Sequence, residues 1–200
     1  MSDIMKIFLA RHGQSNFNKK HLFSGQGDAK LTAKGKAQAK RSGNFFSKKK
    51  IDAIYHSPLS RAFQTAKIIF SQMNSKPEML ERKGLMEINQ GRWEGRNPET
   101  FKGKEKELEQ KWRKNNFRHS APGGETFFDL QKRLKPVLKE ILESGFENII
   151  VVSHHGTNMV LMRLLFGLSE KETMEIRMPN NVIFEVVIKK GKRNFKKLVL

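Results

Sequence analysis

Two adjacent residues, Arg11 and His12, are the first in the chain whose types could do chemistry together. They follow the apolar run Ile7-Phe8-Leu9, which reads as a short buried strand, and precede Gly13, which marks a sharp turn. In open α/β sheets ligands bind beyond the carboxyl ends of the strands, so a fixed cation beside a histidine there suits an anion with a nucleophile or base next to it. Taken alone, the pair also fits a bland reading: Arg11 pairs with a carboxylate and His12 is a satisfied core residue. Other positions in the chain decide between the two.

Ile51–His56 reads as a second strand, and Ser57-Pro58 as a cap with proline at the first helical position, opening a helix through Phe70. Arg61 then falls in the first helical turn, beside unpaired N–H groups and the positive dipole end. Glu147–Ser153 (ENIIVVS) is the clearest buried strand; it delivers His154 and His155 to its carboxyl end, where a helix through Phe166 begins. Glu87 lies near the end of an extended segment over 78–88, between apolar Met86 and Ile88, which predicts a partly buried carboxyl group with a raised pKa. Ser24–Gly27 (SGQG) is a glycine-bearing loop that lets backbone approach a ligand.

Two arginines and one or two histidines around one crevice repel one another, at about 4 kcal/mol per like-charge pair for 4 Å and an effective dielectric near 20. An anion relieves that repulsion. A phosphoryl group offers enough oxygens to engage arginine forks and helix N-termini together, whereas a carboxylate leaves donors idle.

The elements that must position these residues alternate strand and helix, which implies an α/β sheet covered on both faces. Thr32 reads as the N-cap of a helix packed closely on the sheet at Gly35, and Thr126 with Asp129 as the start of another. Pro136 should kink or divide that second helix. Asn181–Lys189 and Asn194–Leu200 read as a closing hairpin or edge strands, either pairing with another chain or covered; the oligomeric state stays open. The stretch 96–122 is strongly basic against four glutamates, with Phe101, Leu108 and Trp112 at roughly helical spacing. It reads as a helical insertion into a single domain over 1–200, either a lid or specificity segment or a solvated connecting helix.

Bulk properties bound the function. A chain of 200 residues buries roughly 70% of its unfolded surface. It contains no cysteine, which excludes a disulfide framework and thiolate metal sites and agrees with a reducing compartment. Apolar runs fall far short of the ~20 residues of a membrane span, and MSDIMKIFLARHG lacks the pattern of a secretory leader, so a cytoplasmic location is expected. The net charge of +19 comes mostly from scattered lysine. No nucleic-acid motif accompanies it, so nucleic acid is not the expected partner, and genome composition accounts for the charge as readily as a polyanion does.

The ordered blocks resemble the histidine phosphatase superfamily, in its phosphoglycerate mutase-like branch. RHGQSNFN (Arg11–Asn18), SGQGDAKLTAKGKAQA (Ser24–Ala39), SPLSRAFQTA (Ser57–Ala66), LMEINQGRWEG (Leu85–Gly95), GGET (Gly123–Thr126) and VVSHHG (Val151–Gly156) are similar to that family's successive motifs. The resemblance implies a three-layer α/β/α sandwich with a mostly parallel central sheet, and a phosphatase for small phosphorylated metabolites that needs no metal or organic cofactor. His12 would be the nucleophile that becomes phosphohistidine, and Glu87 the general acid and then base. Arg11, Arg61 and His154 would hold the equatorial oxygens, assisted by Asn18 and the backbone at Ser24 and Gly25. Gln14 and Phe17 depart from the common glutamate and tryptophan, and His155 replaces a usual glycine. Either His154 or His155 could then be the phosphate ligand, and position directly after the strand favours His154. The residues after Glu87 follow the phosphatase subgroups rather than the mutases. A phosphoglycerate mutase is the enzyme alternative, a polyanion-binding module on the same scaffold the non-enzymatic one, and a metallohydrolase lacks the ligand spacing. The basic insertion suggests a compact, multiply charged ester as substrate.

Overall fold

The computed structural model describes residues 4–200; residues 1–3, part of the stretch read as lacking a leader, lie outside them. In chain order the elements are β1 (Ile4–Arg11), α1 (Asn16–Lys19), α2 (Ala33–Phe46), β2 (Ala53–His56), α3 (Ser60–Ser71), β3 (Glu78–Glu81), α4 (Gly103–Lys114), α5 (Phe127–Glu143), β4 (Asn148–Ser153), α6 (His155–Phe166), α7 (Glu170–Glu175), β5 (Val182–Lys189) and β6 (Lys192–Val199). The strands form one sheet in the order β3-β2-β4-β1-β5-β6. β1, β2, β3 and β4 run parallel, and β5 pairs antiparallel with β1 on one side and with β6 on the other. The sheet is therefore mixed and mostly parallel, with helices on both faces, as the alternation of elements predicted.

Side-chain alternation along the central strands splits the core in two. Ile7, Leu9, Tyr55, Ile149 and Val151 face α5 and α6, while Phe8, Ala10, Ile54, Ile150 and Val152 face α2 and α3. Strands buried on both faces are near-continuously apolar, which is why these runs stood out in the sequence. Their common direction brings their carboxyl ends to one rim, with Arg11 level with Ser153 and His56 level with Val152.

Several local expectations hold. Thr32 Oγ1 accepts the Gly35 N–H at 3.1 Å. Thr126 and Asp129 form a reciprocal capping box. Gly35 meets the loop after β1 so closely that a Cβ on Gly13 would lie 2.2 Å from the Gly35 carbonyl oxygen.

Others are corrected. α3 starts at Ser60 behind Leu59, so Ser57 and Pro58 do not open it; the Ser57 hydroxyl instead bonds the Leu59 N–H and the ring of His154. Pro136 sits inside an undivided α5. It and Lys132, whose carbonyl it leaves without a helical donor, are both exposed, so water can take that bond. The extended segment over 78–88 is a strand only at Glu78–Glu81, followed by a 3₁₀ turn at Lys83–Leu85. α7, opened by a Ser169–Glu172 capping box, has no counterpart among the sequence expectations.

Within the basic stretch, α4 is preceded by a 3₁₀ turn at Pro98–Thr100. Phe101 lies before α4 rather than on its face, and packs with Trp93, Ala121, Phe23, Leu108 and Trp112 in a third apolar cluster. That cluster seats α4 against the Leu22-Phe23 loop beside the rim.

Candidate active site

A cavity of about 410 Å³ opens at this rim. Its wall includes Arg11, His12, Asn18, Ser24, Gly25, Glu87 and His155; Trp112, Arg113 and Asn116 come from α4 and the residues after it. Arg61 and His154 do not line the cavity. They stand behind His12, fully buried.

His12 leaves β1 with its N–H on the Ser153 carbonyl at 3.0 Å. Its ring is held from both sides. Nδ1 lies 2.7 Å from the Gly13 carbonyl oxygen, and Nε2 lies 3.3 Å from Arg61 Nε. A carbonyl only accepts and a guanidinium only donates, so the proton belongs on Nδ1 and the lone pair on Nε2. Burial, then Arg61 and Arg11, holds the His12 pKa well below its ordinary 6.5. The ring is therefore a neutral imidazole with a defined nucleophilic nitrogen.

Arg61 also ties down the glycine loop, donating from Nη2 to the Gly25 carbonyl at 2.6 Å and from Nη1 to the Gly27 carbonyl at 2.9 Å. Burial lowers its pKa to about 10, so it stays a cation at pH 7. Arg11 donates from Nη1 to the Met178 carbonyl at 3.2 Å, and its buried Nε has no protein partner. Asn18 spends its Oδ1 on the Ser15 N–H, which leaves its NH₂ as the donor for the cavity.

The two adjacent histidines diverge. His154 lies beside His12 with ring centroids 5.1 Å apart and planes tilted by 57°. Its Nε2 is 2.8 Å from Ser57 Oγ, and its Nδ1 is buried without a partner. His155, the first residue of α6, lines the cavity instead. Burial, then Arg11, lowers its pKa to about 4, against the opposing pull of Glu87.

Glu87 is half-buried, but its surroundings are not the apolar ones predicted from Met86 and Ile88. Its oxygens accept the backbone N–H groups of Ile88 at 3.0 Å and of Gly156 and Thr157 at 3.2 Å each. Gly156 and Thr157 belong to the first turn of α6, whose N-cap His154 supplies no side-chain cap; Glu87 caps that helix from another segment. A Cβ on Gly156 would stand 2.8 Å from Glu87 Oε1, so any larger residue there would push the carboxylate aside.

The frame around Glu87 went unread in the sequence. Arg133 on α5 donates to the carbonyls of Gly84, Met86 and Glu87 at 2.7, 2.9 and 2.8 Å, and forks onto Glu125. Glu125 in turn accepts the Asn89 N–H at 2.9 Å. Gln26 reaches the Glu87 carbonyl at 3.1 Å, while Glu94 accepts the Gln26 and Gln90 N–H groups at 2.7 and 3.1 Å. Glycine loop and acidic loop are thus one hydrogen-bonded unit. Only the proximity of Glu94 to Glu87 and of Glu125 to the paired glycines hinted at this.

Three histidines with depressed pKa values, His12 and His154 buried and His155 partly so, set a direction for stability against pH. The unfolded chain takes up protons near pH 6.5, where the folded chain refuses them, so stability is full above that pH and is lost as pH falls below it. For His155 the window runs from 6.5 down to about 4. Each histidine contributes up to about 1.4 kcal/mol per pH unit. We expect the urea midpoint to fall steadily between pH 7 and pH 5; a flat midpoint there would refute buried neutral rings.

Among the described residues no group of three or more histidines and carboxylates is arranged to hold a metal ion, and no helix is long and apolar enough to cross a membrane.

The sequence profile of the histidine phosphatase superfamily (branch 1) matches residues 7–200. A protein of Hydrogenobacter thermophilus named as a candidate phosphoserine phosphatase 2 is 33% identical over 181 residues, 90% of this chain and 88% of that one. The 2,3-bisphosphoglycerate-dependent phosphoglycerate mutase of Bartonella tribocorum is 33% identical over 174 residues, 83% of this chain and 84% of the relative. The crystal structure of the alpha-ribazole phosphatase from Shigella flexneri superposes with a TM-score of 0.87 at 25% identity, covering 98% of this chain and 96% of that one.

Proposed function

Because the chain belongs to branch 1 of the histidine phosphatase superfamily, we propose that it hydrolyses small phosphate monoesters through a phosphohistidine on His12, without a metal. The observation that carries this reading is the pinned His12 ring, its lone pair fixed on Nε2 between Arg61 and the cavity that holds Arg11 and Glu87.

In the first step Nε2 attacks phosphorus, the ester P–O bond breaks, and protonated Glu87 gives its proton to the leaving oxygen, so that an alcohol departs. In the second step Glu87, now a carboxylate, takes a proton from water as the water oxygen attacks phosphorus. The P–N bond breaks, and phosphate and neutral His12 are released. Arg11, which lines the cavity with its Nε unpartnered, gains most when charge develops on the equatorial oxygens, while Arg61 and neutral His154 back the His12 ring from behind. Asn18 and the loop at Ser24 and Gly25 complete the cradle. The stretch 96–122 acts as its cover through Trp112, Arg113 and Asn116.

Mutase relatives at similar identity keep a second reading in view. A panel of phosphate monoesters assayed in EDTA separates the two. We expect release of free phosphate; interconversion of 2- and 3-phosphoglycerate without release would establish the mutase, and no reaction with any ester would overturn both.

A further inference from the structure

Beyond the groups assigned to phosphoryl transfer, the cavity wall carries a cation with no carboxylate partner among the described residues. Arg177 follows α7, is exposed to solvent, and lines the cavity. Its Nη1 donates to the carbonyls of Met174 at 2.7 Å and Ile176 at 3.1 Å, which leaves Nε and Nη2 without a protein acceptor.

The segment carrying it is anchored on the reaction centre. Arg11 Nη1 bonds the carbonyl of the next residue, Met178, at 3.2 Å, and Asn180 Nδ2 bonds the His12 carbonyl at 2.6 Å. The Met178 side chain is buried. Arg177 is therefore presented from backbone fixed against the strand end that holds the nucleophile, and a cation so placed is preorganised rather than swinging free.

The charges around it favour an anion. Glu87 is the sole carboxylate among the lining residues, against Arg11, Arg113 and Arg177. Arg113 is engaged elsewhere: its Nε pairs with buried Glu109, which Lys106 also contacts at 3.0 Å. His155 on the same wall is held neutral at pH 7 by burial and by Arg11, and so competes with nothing negative.

We propose that Arg177 binds a second anionic group, a carboxylate or another phosphate, on the leaving portion of the substrate, and so selects compact phosphate monoesters with an anionic tail. This rests on the phosphatase reading of the same cavity.

O-phosphoserine and O-phosphoethanolamine differ only by a carboxylate, and 4-nitrophenyl phosphate reports the basic reaction. The wild-type protein should prefer O-phosphoserine in kcat/KM. Arg177→Gln, at an exposed position, should cut that preference at least about tenfold, mainly through KM, a loss matching one charged hydrogen bond. It should leave 4-nitrophenyl phosphate turnover near wild type. A preference absent in the wild type, or unchanged in Arg177→Gln, overturns this inference alone. Failure of the wild type to release phosphate from any of the three overturns it together with the phosphatase reading.

Discussion

Replacing His12 with alanine should reduce phosphate release by at least about 10⁴-fold, since it removes the nucleophile that forms the covalent intermediate. The two bonds the ring makes, to the Gly13 carbonyl and from Arg61 Nε, define Nε2 as the attacking atom. Quenched during turnover, the wild-type protein should carry one phosphoryl group that is lost in mild acid and kept in alkali, the behaviour of a phosphorus–nitrogen bond. His12→Ala should carry none. The variant loses the ring's bonds to the Gly13 carbonyl and Arg61 Nε, but Arg61 keeps its bonds to the Gly25 and Gly27 carbonyls and the variant should fold. Near-normal turnover in EDTA by folded His12→Ala, or an acid-stable adduct in the wild type, would end the phosphohistidine assignment.

The second large effect concerns Glu87. Glu87→Gln should lower turnover of alkyl phosphates by about 10²–10⁴-fold, the usual worth of a positioned acid–base group. With 4-nitrophenyl phosphate the outcome should differ in kind. That leaving group departs without a proton, so the first step survives while hydrolysis of the phosphoenzyme stalls. A burst of 4-nitrophenolate equal to the enzyme concentration is the expected signature. The amide keeps one oxygen for the N–H groups of Ile88 and Thr157 and places its NH₂ against that of Gly156. The structural loss is then about one hydrogen bond, roughly 1–3 kcal/mol, visible as a modest fall in Tm. Equal losses for alkyl and aryl esters with no burst would assign Glu87 a structural role only.

Residues were legible in the sequence where their bonds are local. Motifs at strand ends were readable because a buried parallel strand advertises itself as an apolar run, and chain direction places the residues beyond its carboxyl end. Thr32 and Thr126 were readable because a helix cap is a bond spanning three residues. Ser57 was misread for a related reason: its hydroxyl has two suitors, the local chain and His154, and the second comes from 97 residues away. Pro136 breaks helices in general, but here the freed carbonyl faces water. Glu87 was given the apolar character of its chain neighbours, whereas its environment is the first turn of α6, 70 residues on at Thr157.

By itself the sequence determined the α/β class, the direction in which Arg11, His12, Arg61 and His154 are delivered, and the family, because each depends on local pattern along single elements. Tertiary structure alone decided which nitrogen of His12 carries the lone pair, which adjacent histidine backs it and which faces the cavity. It alone decided that Arg133, Glu125 and Glu94 hold the acid, and that Arg177 looks into the site. Those are bonds between residues far apart in the chain, and their geometry is set by how the layers pack, which no spacing along one strand or helix encodes.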